Sequence, residues 1–166
     1  MQKKTIGIIG GMGPLAAADL FEKIIFHTKA SCDQDHLRTL IDSNCGIPDR
    51  TEAILHGGAD PVPELTASAR GLERQGAELL LMACNTAHCY YEAVQSAVSV
   101  PVLHMIRLTA RALEERGVKT AGLLATDGTV ETGIYQRCFA GTGIRLLLPD
   151  RAGQRELMDL VYQGVK

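Results

Sequence analysis

Gly76-Ala-Glu-Leu-Leu-Leu-Met-Ala-Cys-Asn-Thr-Ala-His-Cys-Tyr90 is the stretch on which the fold turns. Leu79 to Ala83 form an unbroken apolar run, the pattern of a short strand covered on both faces in a parallel sheet. The run stops at Cys84-Asn-Thr86, after which Ala87 to Val98 carry a helical pattern. Asn85 and Thr86 each offer a side-chain oxygen to the free N–H groups that open a helix, so either serves as its N-cap. Cys84 then stands where a buried strand ends and a helix begins, the edge at which open α/β sheets bind ligands. Unpaired N–H groups and the helix dipole at such a position favour a thiolate over a thiol. Cys84 is therefore the leading candidate for a reactive group.

The same rhythm runs outward from this turn. Thr5 to Ile9 form a first buried strand, closed by Gly10-Gly-Met-Gly-Pro14, with a helix predicted over 15–30. Glycine permits a tight turn and close approach of the backbone to a ligand, and proline suits the first turn of a helix. Gly11, Gly13 and Ala16 formally match the dinucleotide pattern G-x-G-x-x-A. No acidic residue ends the second strand at the required distance, since Asp42 lies too far on. A plain strand-to-helix turn and a cradle for a small carboxylate both remain open. Leu37 to Asp42 give the second strand, followed by a polar loop over 43–51 whose one cation is Arg50. That arginine falls at the same sheet edge as Cys84, where its planar fork can grip a carboxylate; a solvated loop arginine is the alternative. A helix over 61–75 stopped by Gly76, a strand over 100–103 and a helix over 107–116 closed by Gly117 complete four β/α units.

The pattern restarts at Lys119 to Ala125, an apolar strand that opens into Thr126-Asp-Gly-Thr-Val130 and a helix predicted to reach about residue 139. Ile144 to Leu148 give another strand, and a last helix from Gln154 places Leu157, Leu160 and Val161 inward. A two-stranded sheet is marginal alone, so further strands and helices are expected after Lys166.

Bulk composition narrows the function classes. The chain has 166 residues, 46% of them hydrophobic and 22% charged, with a formal net charge of −2. Such a balance describes a soluble globular protein and gives no electrostatic case for nucleic acid. The absence of tryptophan and an aromatic content of 4% argue equally against base stacking. No apolar run approaches the roughly 18 residues of a membrane span, so no membrane partner is expected. Cysteines 32, 45, 84, 89 and 138 are odd in number and form no C-x-x-C pair. Free thiols in a reducing cytoplasm are the default for such a chain. Cys84, His88 and Cys89 lack a second ligand pair spaced to complete a metal site.

Five motifs in order resemble the aspartate/glutamate racemase family of PLP-independent amino-acid racemases, the aspartate racemase branch in particular. They are Ile8-Ile-Gly-Gly-Met-Gly-Pro14, Ile47-Pro-Asp-Arg-Thr51, Ala83-Cys-Asn-Thr-Ala-His88, Leu123-Leu-Ala-Thr-Asp-Gly-Thr129 and Val161-Tyr-Gln-Gly-Val-Lys166. The resemblance implies an α/β fold of two pseudo-symmetric lobes, residues 1–103 and a partial second lobe over 104–166, each a parallel sheet flanked by helices. It implies an isomerase needing no cofactor and no metal, acting on a small dicarboxylic amino acid, and usually a homodimer. Cys84 would be one of two cysteines flanking the substrate's α-carbon. Arg50 would grip the side-chain carboxylate with help from Lys166, while Met12, Asn85, Thr86, Thr126 and Thr129 would hold the α-carboxylate and line the pocket. The family's second cysteine lies in a Gly-Cys-Thr-Glu turn that these 166 residues do not contain. Neither Cys89 nor Cys138 suits that role. Two alternatives stand beside the racemase: a maleate-isomerase-like enzyme using Cys84 as a nucleophile, and a carboxylate-binding relative without turnover.

Overall fold

The computed structural model describes residues 3–165, so Lys166 lies outside them. Four strands, β1 (Ile6–Gly10), β2 (Thr39–Ser43), β3 (Leu79–Met82) and β4 (Val102–Leu103), form a parallel sheet in the order β2-β1-β3-β4. Every residue of β1 is buried, as expected for the inner strand of a sheet covered on both faces. Helices α1 (Pro14–His27), α2 (Arg50–Leu55), α3 (Val62–Arg74), α4 (Tyr91–Ser96) and α5 (Met105–Glu115) connect or follow these strands. Leu65, Ala69 and Leu72 of α3 recur at helical spacing and are buried against Ile9, Leu80, Met82 and Val102. On the other face, Ile6, Ile8 and Ala83 meet Ala17, Leu20, Phe21 and Ile24 of α1.

A second, smaller sheet pairs β5 (Thr120–Gly122) with β6 (Arg145–Leu147) in parallel. It is accompanied by α6 (Asp127–Glu131), α7 (Ile134–Phe139) and α8 (Arg151–Leu160). Its core joins Ile134, Phe139 and Ile144 to Ile106 and Ala110 of α5. The helix that leaves the first sheet thus covers the second.

The α/β class with parallel sheets flanked by helices is as the sequence implies; several local expectations are not. The polar loop over 43–51 ends in a helix, because Asp49 accepts the N–H groups of Thr51 and Glu52 and so nucleates α2. The helix expected after Cys84 is instead a 3₁₀ turn, Thr86–Tyr90, leading into the six-residue α4. Neither Asn85 nor Thr86 caps it, since both side chains are engaged across the junction between the two sheets. The helix predicted to reach about residue 139 breaks at Gly133, whose φ of 62° lies in the left-handed region. The last helix begins at Arg151, capped by Asp150, and buries none of its residues; Leu160 is 66% exposed rather than inward.

One glycine is required where β1 ends. Gly11 has φ +89°, and a Cβ there would lie 2.3 Å from the Asn44 carbonyl group. The β1–α1 turn can therefore sit directly on the loop that follows β2.

Leu80 is fully buried at the centre of β3. Leu80→Ala is expected to lower the unfolding free energy by about 3 kcal/mol, through lost transfer energy and the cavity left behind. Urea unfolding followed by circular dichroism measures this, and a loss below about 1 kcal/mol would mean the sheet centre relaxes around the gap.

Candidate functional site

Parallel register sets the site. Ile9 of β1 stands opposite both Asp42 of β2 and Met82 of β3, so all three chains leave the sheet at one edge. Residues 11–13, the loop before α2 and the segment Cys84 to Thr86 are delivered there together. A cavity of about 240 Å³ occupies this edge. Met12, Arg50, Cys84, Asn85 and Thr86 line it from the first sheet, and Thr126 and Thr129 from the second. The structure thus brings together every residue that the sequence singles out for the site, Lys166 excepted. Gly13, Ala16, Thr51, Ala83, Leu124, Ala125 and Val161 complete the wall.

Arg50, the first residue of α2, is 6% exposed. Its Nη1 donates to the carbonyls of Ile47 at 3.2 Å and Pro48 at 2.8 Å, and its Nη2 to that of Met12 at 3.4 Å. Its Nε is buried with no hydrogen-bond partner. Among the described residues no carboxylate lies within ion-pair distance of it. A buried guanidinium without a counter-charge is costly, and an anion bound in the adjoining cavity would offset that cost. The solvated loop arginine is thereby excluded.

Opposite Arg50, three hydroxyls form a closed triangle. Thr86 Oγ1 lies 2.8 Å from Thr126 Oγ1 and 2.8 Å from Thr129 Oγ1, and the latter two are 3.2 Å apart. Thr86 belongs to the 3₁₀ turn after β3, whereas Thr126 and Thr129 open α6, so the triangle joins the two sheets. The helices also approach closely here: a Cβ on Gly128 would lie 3.0 Å from Thr51 Cα.

Sequence reasoning passed over Tyr135. From α7, its hydroxyl donates to Asn85 Oδ1 at 2.5 Å. Burial raises its pKa, so the phenol stays a donor. The bond occupies the Asn85 carbonyl oxygen and leaves its amide N–H groups for other acceptors. The pair is 50 positions apart, and neither spacing nor composition marks it.

His88 braces the site without lining it. Its Nε2 accepts the Met105 N–H at 3.1 Å, so the proton resides on Nδ1, which donates to the Cys84 carbonyl at 2.8 Å. Both ring nitrogens are committed to backbone, which leaves neither for proton transfer with a substrate. Neighbouring His104 caps α5 by accepting the Arg107 N–H at Nδ1, 3.4 Å away. Cys89 and Cys138 lie elsewhere: the Cys89 thiol donates to Thr132 Oγ1 at 3.3 Å, and Cys138 Sγ is 4.0 Å from His104 Nε2. Among the described residues, Cys84 alone of the cysteines lines the cavity. Among those residues no group of three or more His, Cys, Asp or Glu could hold a metal ion, and no helix is long and apolar enough to cross a membrane.

Burial holds the pKa of His104 down to about 4, with electrostatic contributions from neighbouring His88 and Arg107, and burial likewise lowers that of His88. Both rings are neutral in the fold and must be so to act as acceptors. The unfolded chain takes up these protons near pH 6.5. The stability from neutral histidines is therefore complete above about pH 6.5 and is lost as pH falls from there towards 4. Thermal unfolding between pH 7.5 and pH 4.5 is expected to show a falling midpoint with a shallower slope in His104→Asn, which keeps a capping oxygen. An unchanged slope would assign the acid sensitivity to other groups.

Three comparisons with known proteins bear on this geometry. The family model described as Asp/Glu/hydantoin racemase matches residues 9–166. A broad-specificity amino-acid racemase, RacX of Bacillus subtilis, is 32% identical over 149 residues, which cover 87% of this chain and 64% of that protein. The chain thus spans just under two thirds of that relative's length. Among solved structures, the Picrophilus torridus aspartate racemase superposes with a TM-score of 0.84 at 35% identity, over 97% of this chain and 75% of the other. An aspartate racemase homologue from Pyrococcus horikoshii gives 0.76 at 28% identity, over 96% and 70%.

Proposed function

The chain belongs to the Asp/Glu/hydantoin racemase family, and from that premise we propose that the Cys84 cavity binds a small dicarboxylic amino acid, aspartate or glutamate, and exchanges its α-proton without a cofactor. The observation that carries this reading is the buried, unpaired Arg50 in the same small cavity as Cys84. A volume of about 240 Å³ suits an amino acid and is small for a dinucleotide.

Each group then has a task. Arg50 holds the side-chain carboxylate with the guanidinium donors that its backbone bonds leave free, Nε among them. The amide of Asn85 and the hydroxyls of Thr86, Thr126 and Thr129 meet the α-carboxylate, where negative charge grows as the α-proton leaves. Met12 contributes its carbonyl, which steadies Arg50. The Cys84 thiolate takes the α-proton, becoming a thiol, and the carbanion is reprotonated either from the same thiol or from an acid on the opposite face. Racemisation needs that second acid. Among the described residues no other thiol lines the cavity, so the 166-residue chain is expected to work one face of the substrate. We read the whole as a cytoplasmic enzyme of two lobes, 1–103 and 104–166, that assembles as a homodimer.

Proton NMR in deuterated buffer tests the chemistry. This chain should remove the α-proton signal from one enantiomer of aspartate only, and Cys84→Ala should abolish the exchange. Exchange from both enantiomers would reveal a second base within the chain. The lone thiol favours one further reading, a carboxylate-binding protein without turnover. Saturable succinate binding with no exchange would support that reading over the enzyme, and absence of both would remove both.

Two substitutions probe binding. Arg50→Lys is expected to weaken succinate at least about tenfold by calorimetry, because an ammonium cannot reproduce the fork. Tyr135→Phe should raise KM for aspartate several-fold with little change in kcat if it orients Asn85 for substrate binding. An effect confined to thermal stability would leave Tyr135 a structural clasp between the sheets.

A further inference from the structure

A second cavity, of about 270 Å³, opens on the far side of the 3₁₀ turn that follows Cys84, with His88, Cys89, His104, Arg107, Arg137 and Cys138 in its wall. It shares no lining residue with the Cys84 cavity. His104 forms its buried part, at 8% exposure. The ring's Nδ1 accepts the Arg107 N–H, which leaves the proton on Nε2. Among the described residues, the one group that Nε2–H meets is Cys138 Sγ at 4.0 Å, a weak acceptor at the limit of contact. Buried donors without a full-strength acceptor are rare in folded proteins. The rings of His88 and Tyr91, with centroids 4.9 Å and 4.6 Å from that of His104, hold the imidazole in place.

Charge at the rim has one sign in excess. Arg107 and Arg137 carry two positive charges, Glu92 carries one negative charge, and the two histidines are neutral, which leaves a net +1. Glu92 Oε1 lies 3.6 Å from Arg107 Nη2, so these two offset each other. Arg137 is exposed, and its Nη1 donates to the Thr132 carbonyl at 2.5 Å. Among the described residues no carboxylate pairs with it. A buried neutral N–H donor beside an unpaired guanidinium is a setting for an anion with strong acceptor oxygens.

We infer that this cavity binds a small oxyanion, phosphate or carboxylate, with His104 Nε2–H as the buried donor and Arg137 as the counter-charge. The volume suits inorganic phosphate or an acid of a few carbons. Binding here does not depend on any reaction at Cys84. His88 stands in the wall of this cavity only, and its Nδ1–H holds the Cys84 carbonyl, so the ring links the cavity to the backbone of the Cys84 turn.

Proton NMR of the chain at pH 7 and constant ionic strength reads this directly. The His104 Hε1 resonance, assigned by its loss in His104→Asn, is followed while inorganic phosphate or, separately, acetate is added. A saturable shift is expected, and Arg137→Gln should raise its midpoint at least about tenfold, the usual worth of a charge-assisted hydrogen bond. A response to phosphate alone identifies a phosphate site, and a response to acetate as well identifies a carboxylate site. A His104 resonance that moves with neither anion overturns the inference. So does a midpoint unchanged in Arg137→Gln, a surface variant that does not threaten the fold.

Discussion

The parallel pairing of β1 with both β2 and β3 is the constraint on which the rest of the molecule depends. Parallel strands all leave the sheet in the same direction, so three loops distant in sequence must converge at one edge. Here that places the Met12 carbonyl, the Arg50 side chain and the Cys84 turn around a single small cavity. A one-residue slip of β1 would turn Ile6 and Ile8 from one helical layer towards the other and scatter these loops. The unbroken burial of β1 is what makes such a slip costly.

Where the two sheets meet at the site, polar contacts do much of the work. Thr86 with Thr126 and Thr129, Asn85 with Tyr135, and Cys89 with Thr132 all cross from the segment after β3 to the α6–α7 region. Hydroxyls and amides have narrow geometric demands, so such a junction specifies orientation more closely than apolar contact does. It also presents donors towards the cavity, where an apolar junction would present none. The structural seam and the candidate binding surface are made of the same atoms.

Much of this was legible in the residues themselves. Short apolar runs ending in small polar residues marked the strands and their mouths, and Cys84 could be placed from the run Leu79 to Ala83 alone. The convergence of Arg50 with Cys84 followed from counting strands. What escaped was of two kinds, a helix start set by one capping side chain and a turn set by partners far along the chain. The helix α2 was hidden because the seven-residue stretch before Arg50 is rich in turn formers, and only the Asp49 side chain reveals its start. The 3₁₀ turn after Cys84 replaced an expected helix because Thr86 and Asn85 are held by residues 40 to 50 positions away.

The sequence by itself determined the β/α alternation, the class of the fold and the edge at which a site must form, because these depend on local periodicity and on the geometry of parallel sheets. Tertiary structure alone decided that Arg50 is buried without a counter-ion, that His88 serves the backbone rather than chemistry, and that Tyr135 holds Asn85. Those outcomes rest on which polar groups meet once the sheets are packed, and such meetings leave no trace in spacing or composition.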